Sequence, residues 1–106
     1  MLCKNSSLVQ APLGFGDVEE NLANFDRLLE RVQNTDLIVL PEMFSTGFSM
    51  ESGKHAQTMD GPAVQWMLKQ AKAKNAVLCG SINICVAEDD YRNRLIWARP
   101  DGSLDF

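Results

Sequence analysis

The sequence predicts an α/β fold, because apolar runs of strand length alternate with amphipathic stretches of helix length. Residues 37–40 form an apolar run that is too short for a helix and stops at Pro41, which indicates a strand buried on both faces. Residues 18–32 instead repeat apolar side chains at spacings of four and three. That spacing predicts an amphipathic helix, which we expect to end near Arg31.

The N-terminal elements are less strongly marked. Residues 8–10 predict the end of a short first strand that stops before Pro12, and the polar residues 5–7 weaken its first half. Asp17 and Glu20 have the spacing of a capping box, so we expect the first helix to begin there.

A second helix is predicted to begin at Asp60-Gly61-Pro62, since proline is favoured in the first turn, where its missing N–H has no partner to lose. We expect it to end near Lys74 and Asn75. Trp66 and Met67 lie within this helix, and we interpret them as packing residues.

The rest of the chain predicts strands. Residues 76–80 are apolar, and residues 82–87 alternate apolar side chains with small or polar ones, so we interpret these segments as neighbouring strands. Residues 91–99 predict another strand, and residues 100–102 (Pro-Asp-Gly) are typical of a tight turn. Residues 103–106 begin a return strand and leave a sheet edge to which another chain could add.

Composition excludes several classes of function. Hydrophobic residues make up 45% of the 106 residues and charged residues 23%, as in an ordinary globular domain or part of one. The net charge of −4 and the lack of a basic cluster argue against a nucleic-acid partner. No apolar run reaches membrane-spanning length and no secretory signal is evident, so we expect a cytoplasmic protein without a membrane partner.

The cysteines, histidine and glycines do not form a recognisable site. Cys3, Cys79 and Cys85 are odd in number and lack a CxxC pair, so neither a disulfide framework nor a zinc site is predicted. His55 lies in a polar loop with no metal-ligand spacing around it. The Gly14-Phe15-Gly16 segment lacks the third glycine of a dinucleotide loop. We therefore predict no metal site and no nucleotide site.

Glu42 is the best catalytic candidate. It follows the strand at residues 37–40, and open α/β sheets place ligand crevices at the carboxyl ends of their strands. Apolar surroundings raise the pKa of a carboxyl group toward the range of a general base, and the neighbours of Glu42 in sequence are apolar. The alternative is that Glu42 caps the strand or pairs with a basic residue.

Nearby side chains offer secondary candidates. Phe44 and Phe48 could line a substrate pocket beside Glu42, although aromatic residues after a strand are more often part of the core. Asn93 and Arg94 could contact substrate or satisfy buried backbone groups, and spacing does not separate these alternatives.

Residues 40–50, Leu-Pro-Glu-Met-Phe-Ser-Thr-Gly-Phe-Ser-Met, resemble the glutamate motif of the nitrilase superfamily of carbon-nitrogen hydrolases, in particular its omega-amidase-like branch. The resemblance covers almost everything after Ser7, and it is supported by residues 9–13, Asn21, Phe25 and the segments 80–81, 91–95 and 99–102.

The resemblance implies an α-β-β-α sandwich and a Glu-Lys-Cys triad in which the cysteine forms a thioester with an amide substrate. Glu42 matches the general base of that triad. The implied substrate is a small dicarboxylic acid monoamide, no cofactor is needed, and homo-oligomers are expected in the full-length family.

The chain also departs from the family pattern. The family's lysine and nucleophilic cysteine lie beyond the stretch that matches residues 102–106, and Cys3, Cys79 and Cys85 have different neighbours. We therefore expect residues 1–106 to be the N-terminal part of one truncated domain and to be inactive alone. The alternatives are a non-catalytic α/β binding or interaction module, or a degraded gene product.

Overall fold

The computed structural model of the chain describes residues 5–9, 18–42, 44–45, 58–88 and 90–106. Strands and helices alternate along the first part of the chain, which confirms the predicted α/β class. The elements are β1 (Ser6–Leu8), α1 (Val18–Leu29), β2 (Leu37–Val39), α2 (Pro62–Lys74), β3 (Val77–Ala87), β4 (Asp90–Ala98) and β5 (Leu104–Asp105).

The five strands form one mixed sheet in the order β1-β2-β3-β4-β5. β1 and β2 are parallel, as are β2 and β3, whereas β3–β4 and β4–β5 pair antiparallel. Parallel neighbours need a crossover between them, and the crossover segments contain α1 and α2. The antiparallel pairs need only the short connections between Ala87 and Asp90 and between Ala98 and Leu104.

Polar residues hold β1 in place, although the sequence indicated that they would weaken it. The backbone N–H of Asn5 donates to Asp36 Oδ2 at 3.1 Å, and its side-chain amide donates to the Asn34 carbonyl at 3.1 Å. The Ser7 hydroxyl donates to Thr35 Oγ1, also at 3.1 Å. These bonds tie the start of β1 to the segment before β2, and so set their parallel register.

β3 is one continuous strand, and the prediction of two neighbouring strands in residues 76–87 was wrong. Val77 to Cys79 pair with β2 on one side, and Leu78 to Ala87 pair with β4 on the other. Pairing with β4 continues through Gly80 and Ser81 and keeps the backbone extended there, which the sequence pattern does not show.

The helices cover one face of this sheet. On β3, Leu78, Ile82 and Ile84 are fully buried in the core with residues from α1 and α2. The alternate β3 residues point to the opposite side, which we call the open face. β2 was expected to be buried on both faces, but Leu37 and Val39 are only half-buried because the described helices lie on the other side.

Both helices bury the stripes that their spacing predicted. Phe25 and Leu29 of α1 and Val64 of α2 lie in the core with less than 2% of their surface exposed. Trp66 and Met67 are also buried, which confirms their interpretation as packing residues. α2 begins at the N-cap Gly61 with Pro62 in its first turn, and Asn75 ends it in the left-handed conformation.

The predicted turn between β4 and β5 is present. Gly102 adopts a φ of 91°, which other residues rarely tolerate. Hydrogen bonds from the hydroxyl and backbone N–H of Ser103 lower the pKa of the Asp101 carboxyl.

In the described ranges, no helix is long and apolar enough to cross a membrane.

The close approach at Gly80 gives a test of the packing. A Cβ added there would lie 3.0 Å from Phe44 Cδ1 and 3.1 Å from Leu40 Cβ. We expect Gly80→Ala to lower the free energy of unfolding by about 1–3 kcal/mol through overpacking, measured by urea denaturation.

The control for Gly80→Ala repeats it in a Phe44→Leu background, where the ring that crowds the added methyl group is gone. Gly80→Ala should then lower the free energy of unfolding by less. An equal cost in both backgrounds would contradict the packing account.

Candidate active site

Glu42 lies in the turn just beyond the carboxyl end of β2. The Leu40 N–H still donates to the Cys79 carbonyl of β3, at 2.8 Å. Pro41 has no N–H to continue the ladder, so the chain leaves the sheet there. The Glu42 side chain is exposed, which differs from the apolar surroundings expected for it because the described helices cover the other face of the sheet.

The residues after Glu42 anchor it to the core. Phe44 is fully buried, and its ring centroid lies 5.8 Å from that of Phe25 and 5.7 Å from that of Trp66. The buried Asn21 amide of α1 donates to the Ser45 carbonyl at 2.9 Å. Glu42 is therefore held between a strand on one side and a packed, hydrogen-bonded segment on the other.

A groove of about 380 Å³ runs past Glu42 on the open face. Its polar lining residues are Glu42, Ser81 and Asn93. Its remaining lining comes from Val39, Leu40, Cys79 and Leu95. The groove thus combines a largely apolar wall with a polar end at the carboxylate, as binding sites for small organic molecules commonly do.

Asn93 is the hydrogen-bond partner of Glu42 within the described part of the chain. Its Nδ2 donates to Glu42 Oε2 at 2.9 Å across a sequence separation of 51 residues. The alternative that Glu42 pairs with a basic residue gains no support there, since the ion pairs found among described residues are Arg92–Asp90 and Arg99–Asp105.

The sequence indicated Asn93 as a candidate but gave no sign that it pairs with Glu42. Asn93 pairs with Asn83 in the β3–β4 register, and Leu95 pairs with Ser81. This register brings the open-face side chains of β4 beside the groove. The alternation in β4 was readable from sequence, but the register that places Asn93 near the end of β2 was not.

The other β4 candidate, Arg94, lies on the opposite side of the strand from Asn93. Its guanidinium carbon lies 4.2 Å from the centre of the Phe106 ring, a cation-π contact. Its register partner is Ile82, a core residue. Arg94 therefore takes no part in the groove.

The prediction that Phe44 and Phe48 bind substrate stays a prediction. Phe44 lies in the core and does not line the groove, which matches the alternative weighed for it. Phe48 lies outside the described residues, as do His55, Gly14, Gly16, Cys3 and the proposed capping residue Asp17.

Cys79 is the cysteine that lines the groove. Burial raises the pKa of the Cys79 thiol above its ordinary value, whereas a nucleophilic cysteine needs a lowered pKa. Cys85 is half-buried, lies outside the groove lining, and its thiol donates to the Ala87 carbonyl at 3.2 Å. Neither has the surroundings of an activated nucleophile.

The described residues include no group of three or more His, Cys, Asp and Glu side chains placed to hold a metal ion. Among the described groove residues, Glu42 and Asn93 place a carboxylate beside an amide donor. Such a carboxylate can accept and return a proton at a bound molecule.

Comparison with known proteins identifies relatives of this arrangement. A model of the carbon-nitrogen hydrolase family matches residues 7–106. The chain is similar to omega-amidase YafV of Escherichia coli K12, with 39% identity over 100 residues that cover 94% of this chain and 38% of the relative. It is also 27% identical over 101 residues to 2-oxoglutaramate amidase of Bacillus subtilis. The aligned residues cover 92% of this chain and 39% of that relative.

Solved structures agree with these relatives. The crystal structure of XC1258 from Xanthomonas campestris, described as a CN-hydrolase superfamily protein with an arsenic adduct in the active site, superimposes with a TM-score of 0.91 and 40% identity. The superposition covers 99% of this chain and 40% of that chain. The chain thus spans about two fifths of the length of these relatives, and the predicted omega-amidase-like resemblance is confirmed.

The raised pKa of Cys79 can be tested by alkylation. Iodoacetamide reacts with the thiolate, so the labelling rate of Cys79 should keep rising to a higher pH in the folded chain than in the urea-unfolded chain. Labelling is followed by peptide mass spectrometry after short pulses across a pH series. If the labelling rate of folded Cys79 levelled off at the same pH as in the unfolded chain, or at a lower pH, the result would contradict the burial of this thiol.

Proposed function

The chain belongs to the carbon-nitrogen hydrolase family, and from this premise we propose that Glu42 is the general base of an amidase. The observation that carries the proposal is the position of Glu42, an exposed carboxylate at the carboxyl end of a strand and at the polar end of a groove. Residues 1–106 then make up the first part of one hydrolase domain, a size that fits two fifths of the relatives' length.

The proposed reaction uses a Glu-Lys-Cys triad. Glu42 takes the proton of the cysteine thiol as its sulfur attacks the amide carbon, and the C–N bond breaks as that proton passes to the departing ammonia. Glu42 then takes a proton from water as the water oxygen attacks the thioester carbon. The C–S bond breaks, the acid leaves, and Glu42 returns its proton to the cysteine sulfur. One carboxylate serves both half-reactions, since its protonation state is restored after each.

The triad's cysteine is not Cys79 or Cys85 in this proposal. The raised pKa of the Cys79 thiol and the place of Cys85 outside the groove both support that assignment. Without the nucleophile, a triad loses on the order of 10⁶ in turnover, so we propose that the 106-residue chain alone is inactive.

The proposed substrate is the side-chain amide of a small dicarboxylic acid monoamide such as 2-oxoglutaramate. Support comes from the relatives, whose names are omega-amidase and 2-oxoglutaramate amidase. Acyl transfer to a thiol and then to water needs no organic cofactor. We also propose that the complete protein is cytoplasmic and forms a homo-oligomer, as the resemblance to the family implies.

The proposal is tested by ammonia release from 2-oxoglutaramate, using the complete gene product that contains this sequence. Glu42→Gln keeps the shape of the side chain but cannot accept a proton. We expect turnover to fall by at least about 10²–10⁴-fold, the range typical of general base catalysis. The circular dichroism spectrum should not change, because the side chain is exposed.

Glu30→Gln is the matched control, since Glu30 is also an exposed glutamate and lies just after α1, outside the groove. It should retain full activity. Full activity in Glu42→Gln would contradict the proposed base, and turnover by the 106-residue chain that is lost in Cys79→Ala would show that Cys79 is the nucleophile after all. A protein that binds the amide without turnover would favour a binding module.

A further inference from the structure

Asn93 reaches Glu42 from a different element of the sheet. Glu42 sits in the turn after β2, whereas Asn93 lies within β4 and donates its Nδ2 hydrogen to Glu42 Oε2 at 2.9 Å. Resting on the amidase function proposed above, we propose that Asn93 is a positioning residue that holds the Glu42 carboxylate in one orientation for proton transfer.

The chemistry of the pair suits this role. A side-chain amide carries N–H donors but no charge, so it orients a carboxylate without neutralising it as a lysine or arginine would. Within the described residues, the bond engages Oε2, so in this proposal Oε1 is the oxygen that accepts the proton. An exposed glutamate without such a partner samples several rotamers, and few of them aim its carboxylate correctly.

The two residues differ in how firmly the backbone holds them. Asn93 lies between register pairs on either side, from Cys85↔Tyr91 to Leu78↔Ala98, so its direction is fixed by the sheet. Glu42 has a turn backbone and an exposed side chain. The orientation is therefore transmitted from the rigid strand to the catalytic carboxylate.

A purely structural role would give a different pattern of defects. Asn93 is exposed and contributes no buried side chain to the core, so its loss should change stability little. A positioning role predicts that kcat falls while KM stays nearly constant, because the carboxylate acts on the reacting atoms rather than on binding.

The test uses the complete gene product with Asn93→Asp and Asn93→Ala. Asparagine and aspartate have the same shape, but aspartate replaces the donor with a second negative charge that repels Glu42. We expect both variants to lower kcat by about 10²-fold, the cost typical of a misplaced catalytic group, with little change in KM. The melting temperature should stay close to that of the unmodified protein.

Asn24→Asp is the matched control, because it makes the same chemical change on α1, outside the groove lining. It should keep the normal kcat. In a Glu42→Gln background, Asn93→Ala should cause little further loss, since a residue that acts through Glu42 has nothing left to position. If Asn93→Ala lowered kcat by the same factor with Glu42 present and in the Glu42→Gln background, the inference would be overturned.

A spectroscopic measurement separates this inference from the proposed function. In ¹⁵N-labelled protein, Glu42→Gln should shift the side-chain amide signals of Asn93 and leave those of Asn24 in place. If Glu42→Gln abolishes turnover but Asn93→Ala and Asn93→Asp keep a normal kcat, the function stands and the inference is overturned. If the Asn93 signals shift but Glu42→Gln keeps full turnover, the pair exists, the amidase function fails and the inference fails with it.

Discussion

β3 is hydrogen-bonded on both sides, parallel to β2 and antiparallel to β4, and its two-residue period assigns each of its side chains to one face of the sheet. Leu78 and Ile82 fill the core beneath the helices, while Cys79 and Ser81 line the groove on the open face. A slip of one residue would exchange these two sets. The core and the groove therefore depend on the same register.

The same register links packing to chemistry. Gly80 lies on the core face of β3, between Leu78 and Ile82. Its lack of a side chain leaves room for the ring of Phe44. Phe44 anchors the chain just after Glu42, while the β3–β4 pairing places Asn93 beside the carboxylate. Phe44 in the core and Asn93 in the groove thus hold Glu42 from opposite faces of the sheet. The free energy that stabilises the core also limits where the carboxylate can go.

Local patterns predicted the parts of this arrangement that depend on short stretches of chain. The periodicity of α1 and α2, the apolar run before Glu42 and the Pro100-Asp101-Gly102 turn were all readable because each acts within a few residues. The continuity of β3 was missed, since it depends on pairing with another strand, β4, and not on the residues of β3 alone. The Glu42–Asn93 bond was missed for the same reason, and its 51-residue separation is fixed only by strand register.

The exposure of Glu42 could not be predicted from its neighbours either. Apolar residues flank it in sequence, but Leu40 and Phe44 turn into the core and leave the carboxylate at the groove. Strand β1 is a similar case, because the polar residues that weaken it as an isolated strand make tertiary hydrogen bonds to the segment before β2.

The central claim is that Glu42 takes the proton of the nucleophile during acylation. It is tested most directly by mixing the complete gene product, with and without Glu42→Gln, with 2-oxoglutaramate and measuring the intact protein mass after rapid quenching. The account predicts an acyl adduct on the unmodified protein during turnover and none on Glu42→Gln over the same time. An adduct that forms on Glu42→Gln at the normal rate would show that another group activates the nucleophile, and would contradict the role assigned to Glu42.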